Sequence, residues 1–133
     1  AGELIQEYGY QAVPKTTTEV VVDSNSHSTV LPHKTVATRA GVGWIGKCAL
    51  LVTEEFGSAI RISTVLTDAP LTVGTPINES KCGACNLCQE ACPGNAPLGK
   101  NWDVTKTRDE FFNAHSCRKT AREKAAQVGI EAT

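Results

Sequence analysis

Methionine is missing from all 133 residues, position 1 included. The chain also opens inside a helical pattern, with Leu4, Ile5 and Tyr8 on one face, and it ends just past Gly129, a plausible helix stop. Both ends are therefore expected to be cuts in a longer protein. No apolar run approaches the roughly 20 residues that cross a bilayer, so no membrane span is expected. No charged segment followed by an apolar core opens the chain, so nothing marks secretion and a cytoplasmic location is expected. Neither sign of charge dominates: 13 basic and 14 acidic residues leave a net charge of −1, too little for a chain-wide pull on nucleic acid. Internal repeats and low-complexity tracts are absent as well. What remains, 41% hydrophobic and 20% charged, describes an ordinary globular chain of one domain or two small lobes.

Residues 1–14 read as a helix end and a turn, closing at Gly9 and Pro14. Val20 to Val22 is a short β-branched run, a buried strand candidate. Ser24 to Ser28 is a polar loop, and His33 to Ala40 a short helix with Pro32 at its start and Gly41 as its stop. Ala49 to Thr53 and Ser58 to Thr67 read as strands around the turn Glu54 to Gly57. In the second, Ile60, Ile62 and Leu66 alternate with Arg61, Ser63 and Thr67, a half-buried pattern. Residues 68–81 carry Pro70, Gly74 and Pro76 and form a connector; beyond it, Asp109 to His115 and Ser116 to Val128 are helix candidates. The expected class is α+β. A partial α/β cofactor-binding lobe with a small mixed sheet occupies 1–72, and a helical, ferredoxin-like iron–sulfur module occupies 73–133.

The six cysteines are Cys48, Cys82, Cys85, Cys88, Cys92 and Cys117. Four of them fall in CGACNLCQEACP, residues 82–93. Cys82, Cys85 and Cys88 stand three apart, a spacing that curls a loop around one corner of a metal–sulfur cube. Cys92 follows one helical turn later, before Pro93, and in two-cluster ferredoxins the fourth cysteine of such a run serves the other cluster. Two [4Fe–4S] clusters need eight cysteines, so Cys117 is a fifth ligand and the rest are expected past the end of this chain. A single cluster, with Cys92 or Cys117 as its fourth ligand, is the alternative. A zinc-stabilised interaction module is a further one, although zinc sites usually pair two C-x₂-C knuckles or one knuckle with two histidines.

RAGVGWIGKCALLVTEEFGS (39–58), VLTDAPL (65–71) and the cysteine run with Cys117 together resemble the epoxyqueuosine reductases, in order and spacing, over most of residues 20–133. That family couples two [4Fe–4S] clusters to a cobalamin and removes an epoxide oxygen from a modified tRNA base. The resemblance implies that Cys82, Cys85 and Cys88 bind the proximal cluster, with a fourth ligand beyond the chain's end. Cys92 and Cys117 would then serve the second cluster. It also implies that Arg39, Gly41, Gly43, Trp44, Gly46 and Lys47 lie beside a corrinoid, the glycines allowing close backbone approach. The expected role is electron transfer through the clusters, supplied by a redox partner protein, to a corrinoid or other buried acceptor. A non-catalytic ferredoxin-like carrier is the second reading.

The sequence departs from the family at one place. Where the epoxyqueuosine reductases carry an acidic proton donor, this chain has His27, an alternative donor near neutral pH, and the tRNA substrate is accordingly not assigned. His27 read plainly is a loop residue, and His33 and His115 are surface or packing residues. Cys48 is expected to be a small buried residue opening a strand, and Trp44 and Ile45 core beneath the glycine loop. Between positions 100 and 124 seven basic residues face four acidic ones, which reads as a solvated helix face.

Overall fold

The computed structural model describes residues 1–16 and 21–130. A short helix α1 (Gly2–Glu7) turns through Gly9, whose φ of 85° belongs to the left-handed region, into strand β1 (Ala12–Lys15). Pro14 does not close a turn, as expected, but sits within β1. Among the described residues β1 pairs with β4 alone, and a proline is tolerated in such an edge strand. Of Val20 to Val22, Val20 lies outside the described residues. Val21 and Val22 belong to no strand and are exposed, because the chain there turns instead into a polar loop closed by an Asp23–Ser28 bridge.

Helix α2 (His33–Arg39) follows Pro32, whose extended φ and ψ make it the residue before the first turn rather than part of it. Gly41 then takes φ 75° and stops the helix. Strands β2 (Trp44–Ile45) and β3 (Leu51–Val52) form a tight antiparallel hairpin, Trp44 opposite Val52 and Ile45 opposite Leu51. Strand β4 (Thr64–Thr67) runs antiparallel to β1, Ala12 opposite Thr67 and Lys15 opposite Thr64. Among the described residues the sheet is thus not one mixed sheet but two separate antiparallel pairs. Residues 58–63 lie outside β4, and Ile60 and Ile62 pack against the core from irregular backbone.

Helix α3 (Leu87–Glu90) is a single turn inside the cysteine run. The helix expected over 109–115 is broken: a 3₁₀ turn, Arg108–Glu110, ends at Phe111, and helix α4 (Ala114–Gln127) starts afresh. Two caps set this break. Thr107 and Glu110 form a reciprocal capping box, and the Asn113 side chain accepts from the Ser116 N–H at 2.9 Å. Between the caps Phe111 turns inward to join Ala37, Ile45, Ala49 and Leu51 in one buried cluster, with Trp102, Phe112, Ile60 and Ile62 against it. That core draws on both sides of residue 72. The connector is pinned to α2 by the Ile77 N–H on the Thr38 carbonyl at 2.9 Å, and to the later chain by Ser80 on the Trp102 carbonyl at 2.8 Å. Among the described residues no helix is long and apolar enough to cross a membrane.

Candidate metal centre

The cysteine loop is built from short turns. Gly83 takes φ 53°, the Cys85 N–H donates to the Cys82 carbonyl at 3.0 Å, and the Asn101 amide holds the Gly83 carbonyl at 3.2 Å. The β2–β3 hairpin lies against it. Lys47, 3% exposed, carries its ammonium to Asn86 Oδ1 at 2.9 Å, between Cys85 and Cys88. Lys81 pairs with Glu54 and stands 5.6 Å from the centre of the Trp44 ring.

These contacts give the thiols unequal characters. Burial pushes the Cys82 thiol up, but hydrogen bonding from Ser80, the Lys47 main-chain N–H and the Trp44 indole, with the Lys47 charge, outweighs it, and its pKa lies below the ordinary thiol value. Among the described residues the buried Trp44 indole N–H makes no hydrogen bond and is left free to donate. Cys88 moves the other way: burial raises its pKa, and so do the neighbouring charges of Cys48, Cys82 and Cys85. The thiols therefore feel one another, but among the described residues no three His, Cys, Asp or Glu side chains converge as a single ion requires. An orphaned indole donor beside an open loop of three cysteines fits a multi-iron cluster, which takes several thiolates and N–H donors onto its sulfurs.

Cys92 sits apart from this group in its contacts, its sulfur accepting from the Ala96 N–H at 3.4 Å. The turn after it packs on α4. Ser116 donates to the Gly94 carbonyl, and a Cβ on Gly94 would stand 2.5 Å from Thr120 Oγ1. Cys117, exposed on the first turn of α4, is the neighbour of Ser116, so the segments bearing Cys92 and Cys117 touch.

The other sequence candidates are distributed differently. Arg39 is engaged structurally, its guanidinium holding the Ile77 carbonyl and Asn78 Oδ1, each at 2.7 Å. The close approach that the glycines allow is to the chain's own backbone: a Cβ on Gly41 would lie 2.5 Å from the Thr75 carbonyl oxygen, and one on Gly43 would lie 2.3 Å from that of Val52. Gly46 faces the Val52 side chain and the Cys48 sulfur. Trp44 and Ile45 are buried as expected. Cys48 does not open a strand; it lies half-buried in the hairpin turn before β3, because the strand begins only at Leu51. His27 takes φ 49° in its loop, packs at 4.8 Å against a His115 ring tilted 50° to its own, and lines a cleft of about 500 Å³ with Lys34, Lys106 and Arg108. Burial, with the charges of Arg118, His115, Arg108 and Arg122, lowers its pKa, so near neutral pH it is the form that takes up a proton rather than the imidazolium that gives one. Sequence reasoning missed Ser80 and Asn86; Asn86 was findable as the one polar residue between Cys85 and Cys88.

A 4Fe-4S binding domain family matches residues 75–98, which contain Cys82, Cys85, Cys88 and Cys92. Together with the thiol geometry this defines the class: an iron–sulfur redox module that binds [4Fe–4S]. More particularly, the chain is similar in sequence to epoxyqueuosine reductases. It is 36% identical over 97 residues to the epoxyqueuosine reductase of Listeria monocytogenes, covering 73% of this chain and 24% of that protein. It is 44% identical over 63 residues to that of Aliivibrio fischeri, covering 47% of this chain and 17% of that protein. A crystal structure of selenomethionine-labelled epoxyqueuosine reductase superposes with a TM-score of 0.51 at 29% identity, over 71% of this chain and 22% of that one. Another, of epoxyqueuosine reductase with an epoxyqueuosine-modified tRNA-Tyr stem loop, gives 0.51 at 28% identity, over 71% of this chain and 24% of the other. The chain thus spans about a quarter of the Listeria protein's length.

Proposed function

We propose that this chain is the electron-transfer module of a cytoplasmic oxidoreductase resembling epoxyqueuosine reductase. Cys82, Cys85 and Cys88 hold three corners of one [4Fe–4S] cluster, and Cys92 and Cys117 hold two corners of a second. The observation that carries the reading is the turn-built loop that presents Cys82, Cys85 and Cys88 within the residues matched by the 4Fe-4S binding domain family. When bound, such clusters supply one-electron steps at potentials set by charge, hydrogen bonds and solvent exposure. The chain's own contribution is to fix the thiolates, to aim N–H groups at sulfur, and to place the buried Lys47 cation beside the added negative charge. The acceptor is a corrinoid or another buried group lying against Arg39 to Lys47, the electrons come from a redox partner protein, and the substrate is not assigned. His27 lines a cleft beside this module but is held neutral, which suits taking a proton up better than delivering one.

A non-catalytic electron carrier is the second reading. The close packing of Gly41 and Gly43 on the chain's own backbone favours it, since those glycines are then spent on the fold. Anaerobic titration of the reconstituted protein with hydroxocobalamin separates the two. A saturable shift of the corrinoid spectrum supports the reductase reading, and no shift leaves the carrier. In either case dithionite should bleach the visible charge-transfer absorption and an oxidant restore it; a colourless protein that does not respond contradicts both.

A further inference from the structure

Lys47 is buried, 3% exposed, and among the described residues it makes no ion pair. Its ammonium donates instead to a neutral amide, Asn86 Oδ1, at 2.9 Å. An ammonium taken out of water is costly unless an opposite charge stands near it. Other lysines nearby do not share the problem: Lys81 pairs with Glu54 at the surface, and Lys106 with Asp103 at 2.7 Å. Nor can the Lys47 segment swing freely into solvent. Its turn is closed by the Gly46 N–H on the Leu50 carbonyl and the Ala49 N–H on the Gly46 carbonyl, each at 2.9 Å. The counter-charge that Lys47 lacks is therefore missing on the side of the cysteine loop. Asn86 stands between Cys85 and Cys88, at the N-cap of α3. An asparagine there ordinarily accepts from the first N–H groups of its own helix. This one makes no such bond and gives its oxygen to Lys47. Consecutive Cα atoms are about 3.8 Å apart, so this contact holds the Lys47 charge within roughly 10 Å of the Cys85 main chain.

We propose that Lys47 is the counter-ion of the cluster held by Cys82, Cys85 and Cys88, and that its charge sets how readily that cluster is reduced. The inference rests on the reading of the loop as a cluster site. Lys47 acts through its field and is not a ligand. Reduction adds one electron from an external donor, dithionite in the test below, and no bond to Lys47 forms or breaks. The added negative charge meets an ammonium already fixed in place, so reduction is favoured. At about 10 Å and an effective dielectric of about 20, removing this one charge lowers the reduction equilibrium constant about tenfold. For one electron that is a midpoint potential about 59 mV more negative. Because the charge is buried, salt screens it little.

The test is a dithionite redox titration of the anaerobically reconstituted 133-residue chain and of its Lys47→Gln, Lys47→Met and Lys47→Arg variants. Iron and acid-labile sulfide are counted per chain, and the reduced cluster is followed by electron paramagnetic resonance. Lys47→Gln keeps an N–H donor for Asn86 and loses the charge; Lys47→Met loses both; Lys47→Arg keeps the charge. At equal iron and sulfide, the Gln and Met variants should both be about tenfold harder to reduce than the wild type. Lys47→Arg should return the potential toward the wild-type value, and the difference should persist at high salt. A wild-type potential in Lys47→Gln overturns the inference. A potential in Lys47→Arg as negative as in Lys47→Gln also overturns it, because shape and not charge is then the cause. If neither neutral variant folds or takes up iron, uptake by Lys47→Arg alone supports the inference, and failure of all three overturns it. A wild type that takes up no iron overturns the cluster reading itself, and this inference with it.

Discussion

Lys47 spans the interface between the hairpin and the cysteine loop, its buried ammonium 2.9 Å from Asn86 Oδ1. A buried lysine is rare unless it is partnered, and here one side chain links two segments 39 positions apart. Replacing it by methionine keeps the apolar stem but leaves Asn86 without its donor. Hydrogen bonds to charged groups are worth roughly 1.5–3 kcal/mol, so Lys47→Met should lower the unfolding free energy by about that much. It should also shorten the lifetime of a reconstituted cluster in air. Denaturant unfolding and the decay of visible absorption measure the two effects.

Gly43 faces the Val52 carbonyl oxygen, which a Cβ would approach to 2.3 Å. Main chain on both sides cannot yield as a flexible side chain does, so Gly43→Ala must open the β2–β3 hairpin. A cost on the order of 1–3 kcal/mol is expected for such overpacking. Hydrogen exchange should show faster exchange at Trp44, Ile45, Leu51 and Val52, and unchanged protection there would contradict this packing.

His27 gives the fold a dependence on acid. Its pKa in the folded chain is lowered by burial and by Arg118, His115, Arg108 and Arg122, so below about pH 6.5 the unfolded chain binds more protons than the folded one. The stability that a neutral His27 contributes is full above that pH and is lost as the pH falls through the lowered folded value. Melting temperatures measured from pH 7.5 down to pH 5 should decline, and His27→Gln should flatten the part of the decline that His27 causes.

Asn113 caps α4 by accepting from Ser116, one residue before Cys117. Asn113→Ala should cost about 1 kcal/mol and loosen the first turn of α4. Amide exchange at Ser116 and Cys117 should speed up while the end of the helix near Gln127 is unaffected.

The contrast between α2 and the second sheet shows what the chain's local chemistry can and cannot reveal. Pro32 and Gly41 bracket α2 with conformations they carry in any context, and the helix falls between them as expected. The run Ile60, Ile62, Leu66 alternates like a strand, but only Leu66 lies in β4, while Ile60 and Ile62 are held by packing on the core. Phe111 is a similar case. The stretch 109–115 has helical composition, yet the core takes Phe111 and the caps at Thr107 and Asn113 reset the backbone around it. At the metal centre the loop cysteines were legible from spacing alone. The contact of Lys47 with Asn86 was not, because it joins residues far apart in sequence.

The central claim is that the cysteine loop holds iron and sulfide. Iron, zinc and acid-labile sulfide counted per chain after anaerobic preparation and reconstitution test it most directly. The account predicts about four iron and four sulfide for each cluster held, with zinc absent. One or two zinc per chain, with neither iron nor sulfide, would contradict it.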